Sequence, residues 1–170
     1  MVNAANVVLS GNLSGLGAAN MNIAPVQPFG GSLPGSTDVQ AQVWAFFAAK
    51  GLAPHQIAGI MGNVAGESSF DPLAVGDGGD AFGLFQHNNR RFKLFDFIGG
   101  QQNLGDVQKQ LEFVWHELMT SENAAYQRLM ASTDVRGATD AFMRGFERPS
   151  DDAIAKSWGT RLAAAEAAMG

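Results

Sequence analysis

The 170-residue chain contains no cysteine. That excludes a disulfide framework and a thiolate metal site, and leaves the compartment unreadable from redox chemistry. Charge is scarce too. Eleven basic and sixteen acidic residues give a formal net charge of -5, which repels a polyphosphate unless the basic residues cluster. No nucleic-acid partner is expected. No apolar run approaches the ~18 residues that a membrane span needs, and no basic region precedes an apolar stretch at the N-terminus. Neither a membrane span nor a signal peptide is therefore expected. Residues 1–36 carry no charged side chain and are rich in Gly, Asn, Ser and Pro, the composition of a flexible leader or linker.

What remains is a chain with 46% hydrophobic residues, enough for one domain with its own core over residues 37–170. Its patterns are helical. Thr37 with Gln40 makes a capping box ahead of Val39, Val43, Phe46 and Phe47, and Gly51 is placed to stop that helix. Pro54 suits the first turn of a second helix running to about Gly66. The stretch "SSFDPLAVGDGGDAFG" has turn chemistry, with room for a short hairpin at most. Asn103 or Asp106 opens a further helix with Val107, Leu111, Val114, Trp115 and Leu118 on one face. Val135, Ala138, Phe142 and Phe146 mark another, stopped by Pro149. Ser150, Asp151 and Asp152 cap and charge-match a last one bearing Ile154, Trp158 and Leu162. A mainly α fold is expected.

The second helix has two unusual faces. At 100° per residue, Ile57, Ile60, Met61 and Val64 form an apolar stripe with Glu67 at its edge. His55, Gly59, Gly62 and Gly66 form a bare stripe, where another backbone can approach closely. Three helix-weakening glycines in one helix imply that packing requires them, so the helix should be central. Glu67 then sits at a helix C-terminus, partly buried, where both the macrodipole and desolvation disfavour the charged form. A general acid needs that setting. An arginine such as Arg90 or Arg148 is the alternative partner that would make Glu67 merely structural.

Other clusters carry weaker chemistry. His55, His87 and His116 lack the HExxH spacing of a zinc hydrolase, and Asp71, Asp77 and Asp80 do not match a calcium loop. Arg90, Arg91 and Lys93 read as solvated helix surface. Glu147 and Arg148 read as a structural pair, and Trp44, Trp115 and Trp158 as packing residues.

The order "NVAGESSFDPLAVGDGGDAFGLFQ", followed by "FERP" at 146–149, resembles the phage tail lysozyme family of the lysozyme-like superfamily, relatives of lytic transglycosylases and goose-type lysozymes. The resemblance covers roughly residues 37–165. It implies a lysozyme-like helical domain with at most a short β-hairpin near the active site, cutting the glycan strands of peptidoglycan with no cofactor. Glu67 would be the general acid. Ser68 would be its polar neighbour, Gln86 would bind a sugar, and Phe82 and Phe85 would shape the cleft wall. Asp80 and Asp77 are the candidates for a second carboxylate, with Asp80 nearer the "GLFQ" turn. A lytic transglycosylase would need no second group, and a catalytically silent wall-binding or tail-assembly module could keep the same fold. The resemblance also implies a place on a phage tail, other tail proteins as partners, and action on the bacterial wall.

Because residues 1–36 offer so little to bury, their deletion should leave the melting temperature and wall-cleaving activity of the remaining chain unchanged. A large loss of thermal stability would contradict the boundary at residue 37.

Overall fold

The computed structural model describes residues 38–170, so Thr37 and the leader lie outside the described residues. Among the described residues there are seven α-helices and one two-stranded antiparallel sheet. They are α1 (Asp38–Ala49), α2 (Pro54–Ser68), β1 (Val75–Gly76), β2 (Ala81–Phe82), α3 (Arg91–Ile98), α4 (Val107–Met119), α5 (Asn123–Met130), α6 (Val135–Phe142) and α7 (Asp151–Ala168). A short 3₁₀ turn, Gln101–Asn103, precedes α4, and a π-helical turn, Met143–Glu147, extends α6.

Local chemistry explains most boundaries. The Ala53 N–H is taken up by the Gln56 side chain at the start of α2, with Pro54 in the first turn. Asp106, Asp134 and Ser150 each accept a backbone N–H as the cap of α4, α6 and α7. Gly51 follows α1 with φ +84°, a left-handed conformation that suits glycine. The hairpin pairs Val75 with Phe82 and Gly76 with Ala81, and is as short as the turn-rich sequence allows.

The helix α2 is the centre of the molecule, packed against α1, α6 and α7. Its apolar stripe of Ile57, Ile60, Met61 and Val64 is buried in the main core with Val43, Phe47, Leu111, Val114, Phe142 and Phe146. Along its bare stripe, Gly59 and Gly62 are met by the backbones of α6 and α7, and Gly66 by the Arg161 side chain. A Cβ on Gly59 would lie 2.6 Å from the Ala138 carbonyl carbon of α6. One on Gly62 would collide with the Arg161 carbonyl oxygen of α7, and one on Gly66 would lie 2.7 Å from Arg161 Cγ. A second, smaller core of Phe82, Leu94, Ile98, Leu104 and Phe113 fastens the hairpin to α3 and α4.

Two elements depart from the sequence pattern, and one face is corrected. Helices α3 and α5, each eight residues long, bury only Leu94 with Ile98 and Ala125 with Leu129, too few for a readable periodicity. In α7 the fully buried face is Arg161, Ala165 and Ala168, whereas Ile154, Trp158 and Leu162 are only half-buried. The close approach to α2 selects small residues over large apolar ones.

Two glycine substitutions separate packing from helix propensity. Alanine is the better helix former by roughly 1 kcal/mol, yet Gly62→Ala should destabilise by about 1–3 kcal/mol because its Cβ overpacks the contact with α7. Gly159→Ala, in α7 with open space around it, should stabilise by roughly 0.4–1 kcal/mol. Chemical denaturation of both variants checks this, and a stabilised Gly62→Ala would remove the close approach.

Candidate active site

A polar cleft of about 700 Å³ opens where the end of α2 meets the hairpin, the 86–90 segment, the 147–150 turn and α7. Glu67, Asp77, Gln86, Arg90, Glu147 and Arg161 are among the residues lining it.

Glu67 is fixed by a cation that sequence patterns did not pair with it. Arg161 Nη2 donates to Glu67 Oε1 at 2.5 Å, and the two side chains are 5% and 17% exposed. Arg161 Nη1 also donates to Asn63 Oδ1 at 3.0 Å, and its Nε donates to Ser157 Oγ at 3.1 Å. Asn63, buried in α2, in turn donates to the carbonyls of Gly59 and Thr139. The partners expected from sequence, Arg90 and Arg148, are engaged elsewhere. Arg90 bridges Glu117 and Glu122, at 3.0 and 3.6 Å, and Arg148 bonds Glu122 at 2.6 Å. The expected Glu147–Arg148 pair is thus corrected to Glu122–Arg148, and Arg90 is a largely covered network member rather than solvated surface.

Glu147 is the residue that sequence reasoning undervalued. It closes the π-helical turn after α6, and Arg148 follows in the left-handed region at φ 54°. The flanks are held tightly. Phe142 and Phe146 stack with ring centroids 4.8 Å apart, the Arg90 guanidinium lies 4.4 Å from the Phe146 ring centroid, and Arg90 Nη2 donates to the Phe146 carbonyl. One Glu147 carboxyl oxygen, Oε1, is sealed from solvent without a hydrogen-bond partner, as are Glu117 Oε1 and His87 Nδ1. Burial pushes the Glu147 carboxyl well above the usual carboxylate range, and the charge of Glu67 adds to it. Arg90 and Arg161 oppose the shift, while Glu117 adds further to it.

The other residues singled out by the motif fall into two groups. Gln86 lies on the cleft, at φ 43°, with its amide donating to the carbonyls of Ala74 and Gly83. A Cβ on Gly76 would meet Gln86 Oε1, so the Gln86 side chain lies directly against the hairpin backbone. Asp77 also lines the cleft and accepts from Asn88 Nδ2 at 2.9 Å. Asp80 is not among the lining residues. Its side chain is 62% exposed and pairs with Arg91 at 3.1 Å. Ser68 spends its hydroxyl on the carbonyls of Leu84 and Val64, tying α2 to the "GLFQ" turn. Phe82 and Phe85 are buried, Phe82 against Phe95 and Phe85 against Phe142 and Phe146. These three hold the turn from behind.

Gln110 clamps the same turn, accepting from the Leu84 N–H and donating to the carbonyls of Pro72 and Leu104. His87, buried among Phe85, Phe113 and Phe146, bonds Glu117 through Nε2 at 3.0 Å. Burial pushes its imidazole below the ordinary histidine value, against the opposing bond to Glu117.

Comparison with known proteins gives the family of the chain. The sequence profile of the phage tail lysozyme family matches residues 38–170, and the chain belongs to that family. No curated protein and no solved structure matches the chain.

The setting of Glu147 has a consequence for stability. A carboxyl that titrates higher when folded than when unfolded contributes stability below the unfolded range, near pH 4.3 for glutamate, and loses it as pH rises through the folded value. Glu147→Gln should therefore raise the unfolding temperature more at pH 7.5 than at pH 4. Equal differences at the two pH values would contradict the raised titration.

Proposed function

We propose that this member of the phage tail lysozyme family is a muramidase, a glycosidase that hydrolyses the glycan strands of peptidoglycan with Glu67 as general acid. The family is lysozyme-type and acts on peptidoglycan. The observation that carries the finer reading is Glu67 itself. It is a partly covered carboxylate at the end of the central helix, held by Arg161 on the wall of a polar cleft. In the reaction its proton passes to the glycosidic oxygen as the bond to the sugar carbon breaks, and a water completes the cleavage.

Gln86 is proposed to bind the sugar, since its side chain lines the cleft. For a second carboxylate the hairpin offers Asp77 and Asp80. Asp77 is favoured, because it lines the cleft and is oriented by Asn88, while Asp80 is spent on Arg91. Tail association is part of the same proposal and rests on the family alone.

Glu67→Gln keeps the shape and loses the acidic proton, so release of dye from labelled cell walls should fall by roughly 10²- to 10⁴-fold, the usual share of general acid catalysis. Sedimentation with insoluble peptidoglycan should persist. Asp77→Asn and Asp80→Asn, assayed beside it, should show a comparable loss only for Asp77→Asn. A Glu67→Gln protein that clears walls at the parent rate would end the muramidase reading.

A further inference from the structure

We propose that Glu67 and Glu147 share one proton, and that Glu147 is a positioning residue that stores it for Glu67 when no glycan is bound. The inference rests on the muramidase reading and adds a residue outside the hairpin.

Geometry carries it. Both side chains line one cleft, Glu67 from the end of α2 and Glu147 from the turn before α7. Arg161 donates to Glu67. No donor reaches the buried Oε1 of Glu147, although donors stand close by on both sides: Arg90 is turned to Glu117 and the Phe146 carbonyl, and Arg148 to Glu122 and the Gly145 carbonyl. A buried oxygen without a partner is rare in native proteins, because it forfeits its hydration. The neutral acid lowers that cost, since the charged form would need pairing. Among the charged groups that face it, Glu67 and Glu117 favour the neutral form, while Arg90 and Arg161 oppose it. The charge of Glu67 raises the titration of Glu147, so the two carboxyls are linked and the proton they hold belongs to the pair.

The cycle closes on that one proton. At rest it is on Glu147, and Glu67 faces Arg161. Transfer within the cleft leaves Glu147 charged and Glu67 protonated. Glu67 gives the proton to the glycosidic oxygen as the carbon–oxygen bond breaks. Water adds its oxygen to the sugar carbon, and the proton it sheds returns to the pair. One glycosidic link and one water become two sugar ends, with the pair again singly protonated.

The pH profile of wall cleavage tests this. A pair loses its last proton at a higher pH than a lone carboxyl does. Glu147→Gln should therefore move the alkaline limb of activity toward acid. At pH 7.5 the rate should fall by roughly tenfold or more, the factor given by one pH unit of displaced titration, and it should recover near pH 5. A uniform loss at every pH, or an unmoved profile, would overturn the inference while Glu67→Gln could still support the muramidase reading. An active Glu67→Gln would instead sink that reading. Carbon NMR of glutamate-labelled parent protein gives a readout that needs no variant at position 147. One carboxyl should titrate above all the others, and that titration should move down in Glu67→Gln. Ordinary titration of every glutamate would overturn the proposal.

Discussion

The bare face of α2 lets α7 lie so close that the Arg161 guanidinium enters between them, and the cleft end of α2 is positioned from that contact. Taking an arginine out of water costs several kcal/mol, which only good geometry returns. Arg161 receives it from Glu67, from Asn63 through both its side chain and its carbonyl, and from Ser157 one turn earlier in its own helix. The glycines at 62 and 66 are what this arrangement demands of α2, because a methyl group at either position would meet Arg161. Glu67 is thereby fixed by the same interaction that sets the register of the two helices.

The opposite wall of the cleft is held by a second ionic system. Glu117, Arg90, Glu122 and Arg148 alternate in sign from α4 to the 148 position, and Arg90 covers the Phe146 ring. This network engages Arg90 and Arg148, which also hold the Phe146 and Gly145 carbonyls just ahead of Glu147. Glu147 Oε1 is left without a donor, as are Glu117 Oε1 and His87 Nδ1, and for Glu147 the covered setting favours a neutral acid. Beneath both walls, Gln110 and Ser68 fasten the "GLFQ" turn, so that Gln86 faces the cleft from a rigid support.

Much of this was legible in the sequence. The two faces of α2 follow from the spacing of Ile57, Ile60, Met61 and Val64 against Gly59, Gly62 and Gly66, and the structure buries the first in the core and sets the second against Ala138, Ala165 and Arg161. The caps at Asp106 and Ser150 were equally readable. Short helices were not: α5 buries only two residues, which leaves no stripe to detect. Nor was the buried face of α7, since Arg161 at a core position looks like a surface residue until its partners 94 and 98 positions away are known. Glu147 was misread because Arg148 is its neighbour in the chain. The left-handed turn at Arg148 carries its guanidinium to Glu122, and Glu147 Oε1 is left without a partner. Ser68, Phe82 and Phe85 belong to the motif, yet their contacts support the turn from behind the cleft.

The central claim is that a carboxylate at the end of α2 cuts glycan strands by hydrolysis. Mass spectrometry of the soluble products from purified peptidoglycan tests it most directly, because the chemistry of the new ends records the reaction. The account predicts fragments ending in reducing muramic acid. Fragments ending only in anhydro-muramic acid, or strands left uncut, would contradict it.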